Sequence, residues 1–256
     1  MNLENPKKFA MLVEQAKQIA DNFYRPISRK YDKAEHAYPK ELDMLASLLD
    51  GMNEGSSEAT GATSASKRPS TDGDSGVRNS GNLSAALGAM ELCRGDVGLL
   101  LSIPRQGLGN AAIGAVANDE QLARFKGKWA AMAITEPSCG SDSAAIRTTA
   151  VKEGDDYILN GEKIYVTAGA RAECVVVWAT LDKSLGKAAI KSFVVEHGTP
   201  GMEITRLEHK LGIKASDTAA ILFTNCRVPA ANLLGSPEID LKKGFAGVME
   251  TFDNTR

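Results

Sequence analysis

Apolar positions recur at two different periods along this chain, and the change from one to the other divides it. Phe9, Leu12, Val13, Ala16, Ile19, Ala20 and Phe23 return every three or four residues. That spacing predicts an amphipathic helix, opened by Asn5 as N-cap and Pro6 at the first helical position. A second helix is expected from near Pro39, burying Leu42, Leu45, Leu48 and Leu49. Residues 51–82 break the pattern: half of them are Gly, Ser or Thr, and large apolar side chains are nearly absent. Such a stretch buries too little surface to offset its ordering entropy, so it is read as a flexible insertion. Helical periodicity resumes at Leu83, in "LSAALGAMELCRGDVGLLL" and "NAAIGAVANDEQLARF".

Beyond Trp129 the period shortens to two. "TTAVKEGDDYILNGEKIYVTAG" alternates, and Asn160-Gly161 within it is the dipeptide best suited to a tight hairpin turn. "ECVVVWATL", "AIKSFVVEH" and "AAILFTNCRVP" are rich in β-branched residues, and Pro200-Gly201 marks another turn. A helical pattern returns in "LKKGFAGVMETFDNTR". The expected fold class is α+β: a helical domain over 1–130, an antiparallel β-barrel or sandwich over 131–236, and the first helix of a further helical domain over 237–256. Segregated helices and strands disfavour a Rossmann alternation. The last helix, with no partner in sight, is expected to expose Phe245, Val248, Met249 and Phe252.

Length and composition narrow the function. A chain of 256 residues suggests about two domains. A net charge of -2 and an aromatic content of 5% argue against a protein that works on nucleic-acid phosphates or stacked bases. Cys93, Cys139, Cys174 and Cys226 form no CxxC pair, and His36, His197 and His209 are scattered, so no metal spacing is legible. The N-terminus is amphipathic and lacks the continuous apolar stretch of a secretory signal, and no run is long enough to span a bilayer. Free thiols and a cytoplasmic location are expected.

The stretch "AITEPSCGSD", Ala133 to Asp142, carries more special residues than a turn between strands needs. Taken alone it reads as a surface turn, since Gly, Ser, Asp and Pro are ordinary turn residues. It is followed by "LNGEKIYVTAGARA", "KLGIKASDTAAILFTNCRVPAANLLG" and "FDNTR". In this order and spacing the four blocks resemble the acyl-CoA dehydrogenase family. The resemblance implies FAD as cofactor and α,β-dehydrogenation of an acyl-CoA thioester to a trans-2-enoyl-CoA. It implies an electron-transfer flavoprotein as acceptor and an oligomeric assembly. It assigns the flavin's polar edge to the backbone around Met132, Ile134 and Thr135 and to the Thr135 hydroxyl. Gly140 is expected to admit a close backbone approach, Ser141 to meet the pyrophosphate and the substrate, and Tyr165 and Thr167 to stand beside the ring. Lys214, Ser216 and Asp217 fall where the cofactor or subunit surface is shaped. Asp253 and Arg256, three apart on one helix face, are expected at the CoA half of the substrate or paired with each other. Cys139 has no histidine near it in sequence and is read as a spectator.

No catalytic base stands out. The family's alternative base position on the last helix matches Thr255, whose hydroxyl is far too weak, and Glu250 lies five residues earlier, turned away on a helix. The resemblance implies that the base, with the bundle that covers the flavin, is expected beyond Arg256. Two other readings stay open: a non-catalytic acyl-CoA- or flavin-binding subunit that pairs with a complete homologue, and an acyl-CoA oxidase-like, nitroalkane oxidase-like or flavin monooxygenase relative.

Overall fold

The computed structural model describes residues 6–54, 80–105, 107–241 and 245–255, and side chains for all of these except 49–54, 80–82, 250 and 253–255. The chain forms two compact units. One is drawn from the chain up to Ile103 together with His209–Ser216; the other comprises Pro104–Glu208 and the chain from Asp217 onward.

In the first unit, α1 (Ala10–Ile19) runs through a π-helical segment, Ala20–Tyr24, into α2 (Arg25–Lys33). Helices α3 (Glu41–Glu54), α4 (Ser80–Gly95) and α5 (Val97–Leu100) follow. The N-terminal apolar stripe faces inward: Phe9, Ala16 and Ala20 are buried, and Leu12, Val13, Ile19 and Phe23 are partly so. Pro6 lies outside the helix, in extended backbone at ψ 131° before a single 3-10 turn, rather than at its first position; Asn5 falls outside the described residues. The core gathers Tyr24, Tyr31, Leu42, Leu45, Ala46 and Leu99. Leu48, expected inside, is 59% exposed. On a helix that buries Leu42, Leu45 and Ala46, it falls about 240° around the axis from Leu42 and so off the inner face. Leu49 carries no described side chain. Both ends of the expected insertion are helical, since α3 runs to Glu54 and α4 starts at Ser80; residues 55–79 lie outside the described ones.

The second unit begins with α6 (Leu108–Val116) and α7 (Asp119–Phe125), the latter opened by a capping box between Asn118 and Gln121. Seven strands follow: β1 (Ala130–Ala133), β2 (Thr149–Glu153), β3 (Asp156–Thr167), β4 (Cys174–Thr180), β5 (Ile190–Glu196), β6 (Met202–Leu207) and β7 (Thr218–Pro229). Their order is β1-β4-β2-β3-β7-β6, with β5 on the other side of β4. All seven residues of β4 are buried, as its unbroken apolar run requires. The sheet is mixed rather than antiparallel throughout: β1 and β2 both run parallel to β4, Ala130–Ala133 opposite Cys174–Val177 and Thr149 opposite Thr180. Two strands thus share one edge of β4, and the chain between them, residues 134–148, leaves that edge and returns to it. The free edge of β1 meets β3 through a bond from Ile164 N to Thr135 O of 2.9 Å. The sheet is therefore curled, with one bridging bond in place of the full ladder that a closed barrel would have.

Asn160-Gly161 is not the hairpin turn. The turn is Gly154-Asp155, between Glu153 and its partner Asp156. Strand β3 runs through Asn160-Gly161 with a bulge there against β7. Gly161 is required by proximity: a Cβ would stand 2.3 Å from the Thr148 hydroxyl and 2.7 Å from its Cα. Asn160 turns its amide oxygen to accept from Asn225 N at 2.8 Å. The final helix, α8 (Ala246–Thr255), also departs from expectation. Val248 is buried, and Phe245 and Phe252 pack on the same core as Ile113, Trp178 and Val194. Gly247 permits this approach, since a Cβ would lie 3.0 Å from Val116. Of the four apolar residues expected outside, Met249 alone is largely exposed, at 47%.

Candidate functional site

Residues 134–148 hold a carboxylate where a surface turn would place solvent. Glu136 is 5% exposed. Its Oε2 accepts from Arg147 N at 2.6 Å, and its Oε1 accepts from Thr148 N at 2.9 Å and from the Thr148 hydroxyl at 2.6 Å. Lys163 Nζ, on a fully buried side chain of β3, donates to the same Oε1 at 2.8 Å and to Ile134 O at 3.0 Å. One carboxylate therefore ties the start of the excursion to its end and to β3. Burial acts to raise the Glu136 pKa, but the Lys163 charge and the converging donors outweigh it and hold the carboxyl below the ordinary range. Burial draws the Lys163 ammonium below the ordinary lysine range, with Glu136 opposing. Burial, reinforced by the Glu136 charge, pushes the Cys139 thiol up, which leaves little thiolate for nucleophilic attack.

Around this pin the structure gathers several residues singled out in the sequence. Ile134 is buried and gives its carbonyl to Lys163; Thr135 is half-buried and gives its carbonyl to Ile164. The next residue, Tyr165, has φ +59° and is 61% exposed. It sits in a second bulge of β3, between Lys163 and Val166. The bulge lets Lys163, Ile164 and Val166 all turn inward and rotates the phenol out. Thr167 ends β3 half-buried, opposite Thr218. On the other side of Thr135, Gly140 is exposed and a Cβ there would find nothing nearer than the Thr135 methyl at 4.0 Å. Ser141 follows, also exposed. Thr135, Gly140 and Tyr165 thus come together from two sequence blocks, with Thr167 two residues beyond.

Other expected residues lie elsewhere. The Met132 side chain packs against the core, so only its backbone is available to a ligand. Ser216 and Asp217 are both buried; Asp217 accepts from Ala170 N at 3.0 Å and pairs with Arg171 at 3.3 Å, holding the turn that follows Thr167. Arg256 and the side chains of Glu250, Asp253 and Thr255 lie outside the described residues. Sequence reasoning missed Glu136, Thr148 and Lys163. Glu136 was visible as an acid wedged between Thr135 and Pro137, but nothing local marks Lys163 as its partner 27 residues on.

A flavin would meet here two threonine hydroxyls, a serine hydroxyl, open space over a glycine and one projecting aromatic ring. That donor set fits a planar group with a polar rim and a phosphate tail. Among the described residues no helix is long and apolar enough to cross a membrane.

Known proteins resemble this chain in sequence and in fold. The chain matches the acyl-CoA dehydrogenase middle domain over residues 131–226. It is 42% identical over 132 residues to acryloyl-CoA reductase (NADH) of Anaerotignum propionicum, a segment that is 51% of this chain and 32% of that protein. Among solved structures it superimposes on butyryl-CoA dehydrogenase from Megasphaera elsdenii with a TM-score of 0.77 at 29% identity, over 99% of this chain and 64% of that one. A structure from work on the electron transferring flavoprotein of Acidaminococcus fermentans gives 0.73 at 31% identity, over 99% and 63%. The chain thus spans less than two thirds of the length of these relatives. Residues 131–226 thus match the acyl-CoA dehydrogenase middle domain, and the chain as a whole is similar in fold to acyl-CoA dehydrogenases.

Proposed function

We propose that the chain binds FAD at the junction of residues 134–141 with the β3 bulge and serves the α,β-dehydrogenation of an acyl-CoA to its trans-2-enoyl-CoA. The observation that carries this reading is the bond from Ile164 N to Thr135 O, which sets Thr135 and Gly140 beside the exposed ring of Tyr165. When bound, the flavin supplies the two-electron acceptor for the hydrogens leaving Cα and Cβ of the thioester. The protein's part is positional. The Thr135 and Thr167 hydroxyls, with the backbone from Met132 to Thr135, hold the polar rim in one orientation. Ser141 offers an N–H and a hydroxyl to the pyrophosphate and to the pantetheine side of the substrate, and Tyr165 shields the ring edge from water. Glu136 and Lys163 fix the backbone that presents these groups. Asp253 and Arg256 are assigned to the CoA half. A catalytic base is not assigned to any described side chain. An electron-transfer flavoprotein is the proposed acceptor, and the working form is an oligomer.

The test is the visible spectrum of the purified chain after incubation with FAD, recorded before and after anaerobic addition of butyryl-CoA and longer acyl-CoAs. A bound flavin band that bleaches, and recovers with an electron-transfer flavoprotein faster than with oxygen, is the expected result. A chain that stays colourless overturns the cofactor assignment. A coloured chain that no acyl-CoA bleaches overturns dehydrogenation by this chain and favours a flavin-binding subunit.

A further inference from the structure

Two of the three histidines, 173 residues apart, meet in the helical unit. Glu35 and His36 follow the end of α2, and His209 opens the 209–216 segment that belongs to the same unit. Glu35 Oε2 lies 3.1 Å from His209 Nδ1, and the rings of His36 and His209 are 5.3 Å apart, tilted by 60°. One ligand atom from each of Glu35, His36 and His209 falls within 4.8 Å of the other two. Lys210 N donates to the other Glu35 oxygen at 3.0 Å, which fixes how the carboxylate faces the rings.

His36 is the informative member. Its backbone is left-handed, at φ +68°. Both of its ring nitrogens are buried and find no hydrogen-bond partner among the described residues. Buried polar atoms are nearly always satisfied, so an imidazole with two idle nitrogens beside a second imidazole and a carboxylate is missing a partner. A proton donor would satisfy one nitrogen; a metal ion would satisfy it and use the other two groups as well.

We propose that Glu35, His36 and His209 form a binding site for a divalent transition-metal cation of the zinc class. Two imidazoles and one carboxylate are a zinc-type donor set, whereas calcium and magnesium favour all-oxygen shells. Zinc–nitrogen bonds of about 2.0–2.1 Å place tetrahedral ligand atoms about 3.3 Å apart. The Glu35–His209 pair, at 3.1 Å, is already close to that separation. The remaining closure falls to His209, whose side chain is 84% exposed. The same exposure leaves a fourth position open to water. Lys214, whose charge also acts on Glu35, opposes the ion. Occupancy would cross-link residues 35–36 to 209–210 within this unit, so metal binding and its thermal stability rise together.

The test uses tag-free, chelator-stripped full chain in a Cys93→Ser background, because Cys93 is an exposed competing thiol. Zinc is titrated against a colorimetric chelator, and cobalt is followed by its visible d–d absorption. His209→Ala, Glu35→Gln and His36→Asn are compared with the parent, asparagine being chosen for its tolerance of left-handed backbone. Circular dichroism checks that each variant is folded, and His209→Ala, at an exposed position, supplies the decisive comparison. The expected result is one equivalent of zinc bound by the parent, a zinc-dependent rise in melting temperature, and affinity at least about tenfold weaker in each variant. Equal binding by the parent and His209→Ala, or no equivalent bound at zinc concentrations of tens of micromolar, overturns the site.

Discussion

The corner at Glu136 and the bulge at Tyr165 are joined by one backbone hydrogen bond, yet they treat their polar and aromatic groups in opposite ways. At the corner a full carboxylate and a full lysine are taken out of water and answered by four donors and a carbonyl. At the bulge a large aromatic ring, which ordinary packing would bury, is left 61% exposed on strained backbone. The corner spends its residues on holding shape; the bulge gives up shape to present a surface. The two kinds of residue should therefore fail differently when changed.

The largest effect is expected at the buried pair. Lys163→Met leaves a buried carboxylate without its counter-charge and should cost about 3–5 kcal/mol in urea denaturation, a large share of a typical folding free energy. A loss near zero would mean that the amide and hydroxyl donors carry the carboxylate alone. The pH dependence has a definite sign. The folded Glu136 pKa is depressed below 4.5, so its contribution is fully present above that value and is lost as pH falls through the lower folded value. As pH falls below about 5, wild type should lose stability more steeply than Glu136→Gln. Parallel curves would place the acid sensitivity elsewhere.

Next comes Thr148→Val, which keeps the shape and removes a hydroxyl donated to a buried charge; about 1.5–3 kcal/mol should be lost. Tyr165→Gly should act in the other direction on stability. Removing the side chain from a left-handed position relieves about 1–2 kcal/mol of strain, and little buried area is given up. The apoprotein should therefore be unchanged or more stable while FAD binding weakens, a combination that a purely structural tyrosine would not produce. The smallest effect belongs to Arg227→Ala. Arg227 pairs with Glu153 and Asp156 at the exposed β2–β3 hairpin, and its loss should give no resolvable shift in the denaturation midpoint.

Periodicity carried much of the architecture. The first helical stripe and the runs that became β4, β5 and β7 were readable because burial on one face or two leaves a direct trace in the order of apolar residues. Leu48 was misplaced because every leucine in α3 was given to the core, although only one arc of a helix can face it. Asn160-Gly161 misled for a subtler reason. The freedom that suits glycine to a hairpin also suits it to a close approach, here against Thr148, and the dipeptide does not say which is needed. The last helix looked partnerless because its partners, α6 and Trp178, are far away in the chain. In the candidate site, Thr135, Ser141, Tyr165 and Thr167 were singled out only through their register with a known family. The Glu136–Lys163 pair was not, since alternation along β3 gives no hint that a lysine points inward.

Strands β1 and β2 lie on the same edge of β4, so the segment between them is anchored at both ends to one rigid rail. Residues could be inserted or lost between Pro137 and Ile146 without sliding any strand against its neighbour, provided that Glu136 and Thr148 keep their places. Selection for a different ligand could therefore act on the length of this loop as freely as on its side chains. Retuning by indel is open to it in a way that is closed to β3, where one residue gained or lost would turn the strand over.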